Sequence, residues 1–401
     1  MQIKEKLDAT DYDIVILGAG MAGLSLVYRA IKNNVWRDKK ILIIEKELKI
    51  RNDKTFCFWS VKDNPHLKDF ESLINYKWNQ MQIFENSGEQ IDLKIVAERS
   101  DYYYNLIHSL DFYETILGFL KTCNNVEIRY QIVKSLDSKI ITTDDETQYL
   151  ASEIFDTRNI SIPTENQVQN KRYQYFLQHF KGVKLEIIDH DFNLDSINLM
   201  DFRTSQEFGT AFFYLLPFNK NEIFLEYTLF NKKLLQDSEY DRQIEIYLKE
   251  VLGLKIQDYT ILETEFGVIP MTNYQFKRQN NGVFNLGTRG GDTRASTGYT
   301  FYNTQRTITE ILARYSEDEE NKINNQAKLF QEPVNNLNRY FDSIFLRVLN
   351  QGNYKGSDMF GDIFKHAPLD SVLAFLDGEA NISETFQIIN SVKKLPFIKA
   401  L

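Results

Sequence analysis

An apolar run that ends in glycines, Asp13-Ile-Val-Ile-Leu-Gly18-Ala-Gly20-Met-Ala-Gly23, is followed by a second apolar run, Ile41-Leu-Ile-Ile-Glu45. Between the two runs a helical pattern continues to about Asn33, so the order is strand, helix, strand. Glycines at the strand-to-helix turn of such a unit, with an acidic residue ending the second strand, are typical of dinucleotide binding. The segment therefore predicts a Rossmann-type unit near the start of the chain.

Each residue of this glycine motif has its own physical task. Gly18 permits the tight turn, Gly20 lets the backbone approach a pyrophosphate, and Gly23 lets helix and strand pack closely. The helix N-terminus offers unpaired N–H groups and a partial positive charge to the phosphates. Glu45 can accept hydrogen bonds from an adenosine ribose, whereas a 2′-phosphate would be repelled. A glycine-rich turn that only allows close packing is the alternative, and the motif alone leaves FAD and NAD open.

A second glycine cluster, from Gly287 to Gly298, lies between an apolar run and a helical pattern that resumes near Thr300. Many two-lobed flavoproteins bring a second glycine loop and a helix N-terminus back onto the flavin, so this cluster favours FAD. Ordinary turn chemistry is the alternative. We predict cofactor contacts from these residues of the two glycine segments and nearby strand ends: Gly18, Ala19, Gly20, Met21, Ala22, Gly23, Glu45, Lys46, Asp156, Gly287, Gly290, Gly291, Asp292, Thr297 and Gly298.

The patterns predict an α/β fold with four regions. We expect the first part of an FAD/NAD(P)-binding Rossmann domain over residues 1–165 and a β-rich substrate domain over residues 166–259. The chain is expected to return to the FAD-binding domain over residues 260–330 and to end in a helical C-terminal region over residues 331–401. Alternation on both sides of Ser87-Gly88 also indicates a hairpin.

Composition limits the possible partners. The chain has 401 residues and is 43% hydrophobic, which is enough for two or three packed lobes. A net charge of −9, with lysines mixed among acids, provides no basic face for nucleic acid. The histidines show no ligand spacing with cysteines or carboxylates, so no metal site is predicted. Cys57 and Cys123 are too few for a disulfide framework and are interpreted as free thiols.

The same sequence bears on where the protein works. The first residues have no apolar core behind their positive charges, and the run from Ile14 to Val27 is short and broken by glycines. We therefore expect neither a secretory signal nor a membrane-spanning helix, and we expect a cytoplasmic protein.

One carboxylic acid lies in an aromatic row. In Glu222-Ile-Phe-Leu-Glu226-Tyr-Thr-Leu-Phe230, alternation places Phe224, Glu226, Thr228 and Phe230 on one side of a strand. Desolvation on such a face would raise the pKa of Glu226 and keep it protonated near neutral pH, the state that a general acid for an alkene requires. A solvent-facing or ion-paired glutamate is the alternative, and sequence position does not decide between the two.

Several segments, all in the same order along nearly the whole chain, resemble the lycopene cyclases of carotenoid biosynthesis. Phe224-Leu-Glu226-Tyr-Thr228 resembles the family's F-L/V-E-E-T segment, whose first glutamate is regarded as the catalytic acid. Asn52-Asp-Lys-Thr-Phe-Cys-Phe-Trp59 is similar to D-R/K-T-W-C-F-W, Phe155-Asp-Thr-Arg158 to F-D-S-R, and Gln178-His-Phe-Lys-Gly182 to Q-H-F-x-G. Other segments that fit are Met200-Asp-Phe-Arg203, Gly267-Val-Ile-Pro270 and Ser296-Thr-Gly-Tyr-Thr-Phe301.

The resemblance implies a cyclisation with no net redox change. Glu226 would protonate the terminal double bond of a lycopene ψ-end, the neighbouring alkene would close a six-membered ring, and proton loss would give a β-ring. FAD, kept reduced by NAD(P)H, would stabilise the cation electrostatically. The predicted substrate residues are Phe58, Trp59, Tyr214 and Phe224, of which Trp59 and Tyr214 could offer cation–π attraction. Because lycopene is insoluble in water, we expect peripheral membrane contact through the aromatic C-terminal helices, whose alternative role is plain core packing.

Departures from the family pattern leave other hypotheses open. Tyr227 stands where many members have a second glutamate, so Glu226 is expected to act alone or with the flavin. Phe56 replaces a tryptophan, Asp292 a more usual apolar residue, and Arg294 a lysine. A redox flavoenzyme of related fold, such as an aromatic-ring monooxygenase or a prenyl reductase, is one rival. A carotenoid-binding flavoprotein without turnover is the other.

Overall fold

The structure is a computed structural model that describes residues 10–94, 102–168, 170, 172–188, 190–315 and 336–401. Its strands are β1 (Thr10–Leu17), β2 (Ile41–Glu45), β3 (Thr55–Val61), β4 (Tyr76–Trp78), β5 (Gln80–Phe84), β6 (Gln90–Lys94), β7 (Tyr102–His108), β8 (Val126–Tyr130), β9 (Val133–Asp137), β10 (Ile140–Thr143), β11 (Gln148–Asp156), β12 (Tyr175–Ile187), β13 (Ser196–Asp201), β14 (Thr210–Pro217), β15 (Glu222–Asn231), β16 (Tyr259–Thr272), β17 (Gln279–Asn280) and β18 (Val283–Asn285).

The helices of the described residues divide between the two lobes and the C-terminal region. They are α1 (Met21–Lys32), α2 (Ser109–Leu120), α3 (Asp237–Glu250), α4 (Phe301–Ala313), α5 (Asn336–Gln351), α6 (Gly356–His366), α7 (Leu369–Asp377), α8 (Ile382–Ser391) and α9 (Lys394–Ala400). None of these helices combines the length and the apolarity that crossing a bilayer requires.

The first sheet has the parallel order that the glycine motif predicts. Its central strands run β8-β2-β1-β11-β18, with the β9-β10 hairpin and β17 at its margins. The last four residues of β1, Ile14–Leu17, are at most 1% exposed, and every residue of β2 is buried. Strands covered on both faces need such continuous apolar runs. Helices α1, α2 and α4 pack together against this sheet, so β18 and α4 return the chain to the first lobe as predicted.

The second sheet has the order β16-β12-β15-β14-β13-β5-β6. Neighbours are antiparallel except for β5 and β13, which run parallel. One face is covered by α3 through residues such as Tyr240 and Tyr247. The opposite face contributes Phe224 and Phe230 to a core shared with the C-terminal helices. The alternation predicted for β15 is therefore confirmed, and the α/β class with a second β-rich lobe and a helical C-terminal region is confirmed as well.

Strand pairing corrects two of the expected region boundaries. The hairpin around Ser87-Gly88 is present, but β5 and β6 complete the second sheet although they lie within residues 1–165. Strand β16 also belongs to the second sheet, where it pairs with β12 along its length. The physical reason is that hydrogen-bonding partners are set by distant chain segments, whereas the sequence pattern reports only the local strand.

A buried ion pair attaches the C-terminal helices to the second glycine segment. Arg294 and Asp342 are each 1% exposed, and their Nη2 and Oδ1 atoms are 3.3 Å apart. Ser296 donates a hydrogen bond of 2.7 Å to the same Asp342 oxygen, and the Arg294 guanidinium lies 4.3 Å from the centre of the Phe375 ring. The loop and helices α5 and α7 are thus held as one unit.

We expect Asp342→Ala to lower the free energy of unfolding by about 3–5 kcal/mol, because it leaves the Arg294 charge buried without its partner. Urea denaturation measures this loss. Glu47→Ala is the matched control, since the Lys46–Glu47 pair is exposed and such pairs contribute about 0–1 kcal/mol. Equal losses in the two variants would contradict the role of the buried pair.

Candidate active site

The first glycine motif leaves space beside an uncapped helix. Gly18 has a φ of +101°, and a Cβ on Gly23 would lie 2.2 Å from the Gly18 carbonyl oxygen, so close packing needs glycine at both positions. A Cβ on Gly20, by contrast, would meet no heavy atom of the described residues within 4 Å. Helix α1 begins after Gly20 and has no side-chain cap among the described residues. An anion such as a pyrophosphate fits this open helix N-terminus.

Glu45 lies at the carboxyl end of β2, next to the turn. One carboxylate oxygen accepts a hydrogen bond of 2.7 Å from the Ala19 N–H, and the other accepts one of 2.8 Å from the Lys46 N–H. Lys49 lies 3.5 Å away. The carboxylate is therefore held at the edge where parallel α/β sheets bind nucleotides, which is where a ribose contact is predicted.

The second glycine segment contacts the first. A Cβ on Gly287, whose φ is +69°, would lie 3.0 Å from the Ala22 Cβ, so the loop packs directly on α1. Asp292 accepts hydrogen bonds from the Gly287 N–H at 2.6 Å, from Arg278 at 2.8 Å and from Thr307 at 2.8 Å. Asp292 thus holds the loop in place.

Asp156 has a comparable position on β11. Its carboxylate pairs with Arg158 at 2.8 Å and with Arg289 at 3.1 Å, and the residue is 1% exposed. Two of the three predicted acidic contacts, Asp156 and Asp292, therefore already have arginine partners. Their direct contact with a cofactor stays a prediction, whereas the glycines and Glu45 form the edge that fits FAD.

A row of side chains crosses the second sheet. In the strand register Glu226 lies opposite Tyr214 on one side and Gly182 on the other, and Gly182 lies opposite Glu265. Residues directly opposite one another point to the same face of a sheet. Two carboxyl groups therefore flank a residue without a side chain, and the ring of Phe224 and the Cγ of Glu265 approach that gap.

Glu226 is withdrawn from water. It is 9% exposed, and Thr228 donates a hydrogen bond of 2.6 Å to its Oε1 atom. Burial, and next the negative charge of Glu265, raise the pKa of Glu226 to about 8, against the opposing effects of Thr228 and Lys54. The group is therefore mostly protonated at neutral pH, and the solvent-facing alternative for Glu226 is excluded.

Glu265 is a carboxyl group that the sequence patterns did not identify. It is 8% exposed, and Thr55 donates a hydrogen bond of 2.5 Å to its Oε2 atom. Burial raises its pKa to about 7, while Thr55 and Lys54 oppose the shift. The only local signal was its place two residues before Gly267, on the same face of β16. The pairing of β16 with β12 could not be obtained from that signal.

Strand β3 covers this row. Cys57 and Trp59 face the row as Thr55 does, because alternate residues of a strand share a face. The charges of Glu226 and Glu265 both act on the Cys57 thiol, whose pKa is raised mainly by burial. Phe58 faces the other way and stacks on Phe301, with ring centres 4.5 Å apart and planes at 12°. Phe58 therefore packs in the core of the first lobe, and its contact with a substrate stays a prediction.

Tyr214, the strand neighbour of Glu226, belongs to a group of buried tyrosines with Tyr299 and Tyr104. The Trp59 Nε1–H donates a hydrogen bond of 3.1 Å to the Tyr299 hydroxyl, and Tyr104 lies beside both Cys57 and Tyr299. Burial raises the pKa of Tyr104, Tyr214 and Tyr299, so these phenols stay neutral. Such a site provides little water and few charges to compete with a reacting cation.

An apolar pocket adjoins the tyrosines. Tyr214 and Tyr299 form part of its wall, and helices α5, α6 and α7 cover it. Its other lining residues are Leu199, Met200, Phe212, Phe230, Ser296, Thr297, Phe345, Phe360, Ile363, Phe364, Val372, Phe375 and Leu376. A buried, protonated acid whose strand neighbour lines an apolar pocket is suited to donate a proton to an apolar molecule.

Comparisons with known proteins identify the family of the chain. A family model described as "Lycopene cyclase protein" matches residues 13–401. The chain is 25% identical over 313 residues to the chloroplastic neoxanthin synthase of Solanum tuberosum, a match that covers 72% of this chain and 57% of that protein. It is 24% identical over 313 residues to the chromoplastic capsanthin/capsorubin synthase of Capsicum annuum, covering 73% and 58% of the two chains. The matches thus span little more than half the length of these relatives.

Solved structures share the fold at low sequence identity. A geranylgeranyl bacteriochlorophyll reductase-like protein of Thermoplasma acidophilum superposes with a TM-score of 0.64 at 12% identity, over 98% of both chains. The p-nitrophenol 4-monooxygenase PnpA of Pseudomonas putida gives a TM-score of 0.61 at 13% identity, over 95% of this chain and 98% of that one. The flavin-dependent brominase Bmp2 gives 0.56 at 14% identity, over 92% and 94%. These likenesses establish the fold alone.

We expect Gly20→Val to abolish retention of FAD while leaving the apoprotein folded, because the added side chain fills open space that a pyrophosphate needs. Flavin absorbance after gel filtration measures retention, and circular dichroism measures folding. Gly23→Val is the comparison variant, since its Cβ would collide with backbone and should reduce folding itself. A Gly20→Val protein that retained a full complement of FAD would contradict the predicted cofactor site at the first glycine motif.

Proposed function

The chain belongs to the lycopene cyclase family, and from this premise we propose that it closes the ψ-ends of lycopene, or of a related acyclic carotenoid, into β-rings. The observation that carries the proposal is Glu226, a buried acid with a pKa raised to about 8, whose strand neighbour Tyr214 lines an apolar pocket. The reaction begins with an acid and has no net redox change. The enzyme is thus proposed to be a lycopene β-cyclase.

The proposed steps follow from the state of Glu226. Its carboxyl proton transfers to the terminal double bond of the ψ-end and leaves a tertiary cation. The neighbouring double bond supplies the electron pair for the new carbon–carbon bond, and a ring proton then leaves to form the β-ring. Water would quench the cation, and the apolar pocket and neutral phenols limit its access. Trp59 and Tyr214 present aromatic faces that attract a cation.

FAD is the proposed cofactor, with NAD(P)H as the reductant that keeps it reduced. The residues proposed to hold it are Gly18 to Gly23, Glu45 and the segment from Gly287 to Gly298, which the fold brings to one edge. A reduced flavin, when bound, supplies negative charge that stabilises a nearby cationic transition state. The protein residues bind and orient this group, and Glu226 holds the reacting proton.

We expect Glu226→Gln to reduce cyclisation by roughly 10²–10⁴-fold, the usual contribution of a positioned acid, while bound flavin is retained. The pigment profile of lycopene-accumulating bacteria that express each variant measures the loss. Tyr227→Phe is the matched control. Its side chain lies on the opposite face, and its hydroxyl has no hydrogen-bond partner among the described residues, so cyclisation should be unchanged.

The same expression test separates the rival functions. Cyclic carotenoid from the unmodified protein supports the proposal. Hydroxylated or reduced products would indicate a redox flavoenzyme, and unchanged lycopene would indicate a carotenoid-binding protein. Normal cyclisation by Glu226→Gln would show that another group is the acid.

We also propose that the last helices bind an anionic bilayer, from which the apolar substrate is taken. Five large apolar side chains there are unusually exposed: Ile382 (66%), Phe386 (59%), Leu395 (62%), Ile398 (62%) and Leu401 (62%). Lys393, Lys394 and Lys399 are exposed among them and match the charge of anionic lipid. Helices that carry both kinds of side chain are typical of interfacial binding.

We expect Leu395→Asp combined with Ile398→Asp to abolish most flotation of the protein with anionic vesicles, because each apolar side chain buried in lipid contributes roughly 1.5–3 kcal/mol. Ile256→Asp is the control, since Ile256 is 75% exposed but lies outside these helices. Flotation that is equal in both variants would place the membrane contact elsewhere.

A further inference from the structure

The two carboxyl groups beside Gly182 face different surroundings. Glu226 lies next to Tyr214, which lines the apolar pocket. Glu265 instead lines a different cleft, whose polar residues include Asn52, Lys184 and Glu263 and whose apolar residues are Phe218 and Phe224. One carboxyl is therefore turned towards the hydrocarbon side and the other towards the polar side.

The strand register limits what lies between the two carboxyl groups. Their backbones are two strand spacings apart, about 10 Å, with β12 between them. Gly182 contributes no side chain to that gap, and a Cβ there would lie 3.1 Å from the Glu265 Cγ and 2.3 Å from the tip of the Phe224 ring. The Phe224 ring and the Glu265 side chain therefore both lie over Gly182, on the face from which Glu226 projects, and a larger residue at position 182 would displace them.

We propose that Glu265 is a positioning residue that returns a proton from the polar cleft to Glu226 after each cyclisation. This inference rests on the proposed function of Glu226. It assigns a second carboxyl group to the reaction, although Tyr227 occupies the place where the sequence motif would have supplied one. Tyr227 faces α3 on the opposite side of the sheet, so a glutamate there would not reach the row.

The proton balance of the cycle is closed. The Glu226 O–H bond breaks as a C–H bond forms on the substrate, and a ring C–H bond breaks when the product forms. The ring proton leaves through the carboxylates to the cleft, and a solvent proton reaches Glu226 through Glu265. No oxidant or reductant takes part, and each turnover ends with Glu226 protonated.

The charged groups around the pair act in opposite directions on its pKa values. From the chain before β3, Lys54 lowers the pKa of both carboxyl groups, and Asp53 raises that of Glu265. From the neighbouring strands, Cys57 and Tyr214 are neutral. His108, Lys184 and Glu263 line the cleft, and burial lowers the pKa of His108, so this imidazole is neutral at pH 7.

Cyclisation in D₂O tests the relay. Unmodified enzyme should place one deuterium in each ring through successive turnovers, because Glu226 exchanges with solvent. Glu265→Gln should still cyclise, but its deuterium content per ring should fall after the first turnover as Glu226 recovers the proton that leaves the ring. Glu265→Asp should restore labelling. Full labelling by Glu265→Gln at the normal rate overturns the proposal.

The pH profile distinguishes the relay from a purely structural role. Activity needs protonated Glu226 and should decline as pH rises through about 8. Glu265→Gln removes a negative charge that raises the pKa of Glu226. The decline in activity should therefore begin at a pH lower by roughly one unit. Glu186→Gln, an exposed position on β12, is the control and should leave the decline unchanged. An unchanged decline in Glu265→Gln overturns the proposal.

An infrared titration of the purified, carotenoid-free protein separates this inference from the proposed function. The carbonyl band of buried carboxylic acid should lose intensity in Glu226→Gln, and in Glu265→Gln it should titrate at lower pH than in the unmodified protein. That result supports the coupling of Glu226 with Glu265 even if no cyclic product is detected. In that case the proposed function alone fails. If the band titrates at the same pH in Glu265→Gln as in the unmodified protein, the proposed role of Glu265 is overturned even if the enzyme cyclises lycopene.

Discussion

The chemistry proposed for this protein depends on keeping one carboxyl group protonated. Glu226 has a raised pKa because the fold removes it from water and places a second carboxyl group nearby. An ionised carboxylate in such a place costs several kcal/mol, so the neutral acid is the stable state near pH 7. The same exclusion of water that raises the pKa also protects a carbocation from capture. One physical condition therefore serves both the first and the later steps of the proposed reaction.

Distant parts of the chain create that condition. The floor of the site is a row across β14, β15, β12 and β16, and its cover is the inward face of β3, more than a hundred residues earlier. Tyr299 comes from the second glycine segment, and the apolar wall comes from α5, α6 and α7. The Arg294–Asp342 pair joins the last two contributions. Glu226 is thus shielded from water only when both lobes and the C-terminal helices are in place.

Local patterns predicted the parts of the site that depend on neighbouring residues. The glycine spacing gave the turn and helix at Gly18 to Gly23, and alternation gave the buried face of Glu226. Glu265 was missed because its pairing opposite Gly182 joins segments more than eighty residues apart. Alternation along β3 could have separated Phe58 from Trp59, but the family resemblance grouped them. The arginine partners of Asp156 and Asp292 were not predictable, since Arg289 and Arg278 approach only through the tertiary fold.

The parallel pairing of β5 with β13 has a mechanical consequence. The β5–β6 hairpin lies in the chain between strands of the first sheet but is hydrogen-bonded into the second sheet, so the two lobes are joined by backbone as well as by side chains. A hinge motion that separated the two sheets would have to break the hydrogen bonds between β5 and β13. A long polyene, the proposed substrate, would then enter by local displacement of helices rather than by separation of the two sheets.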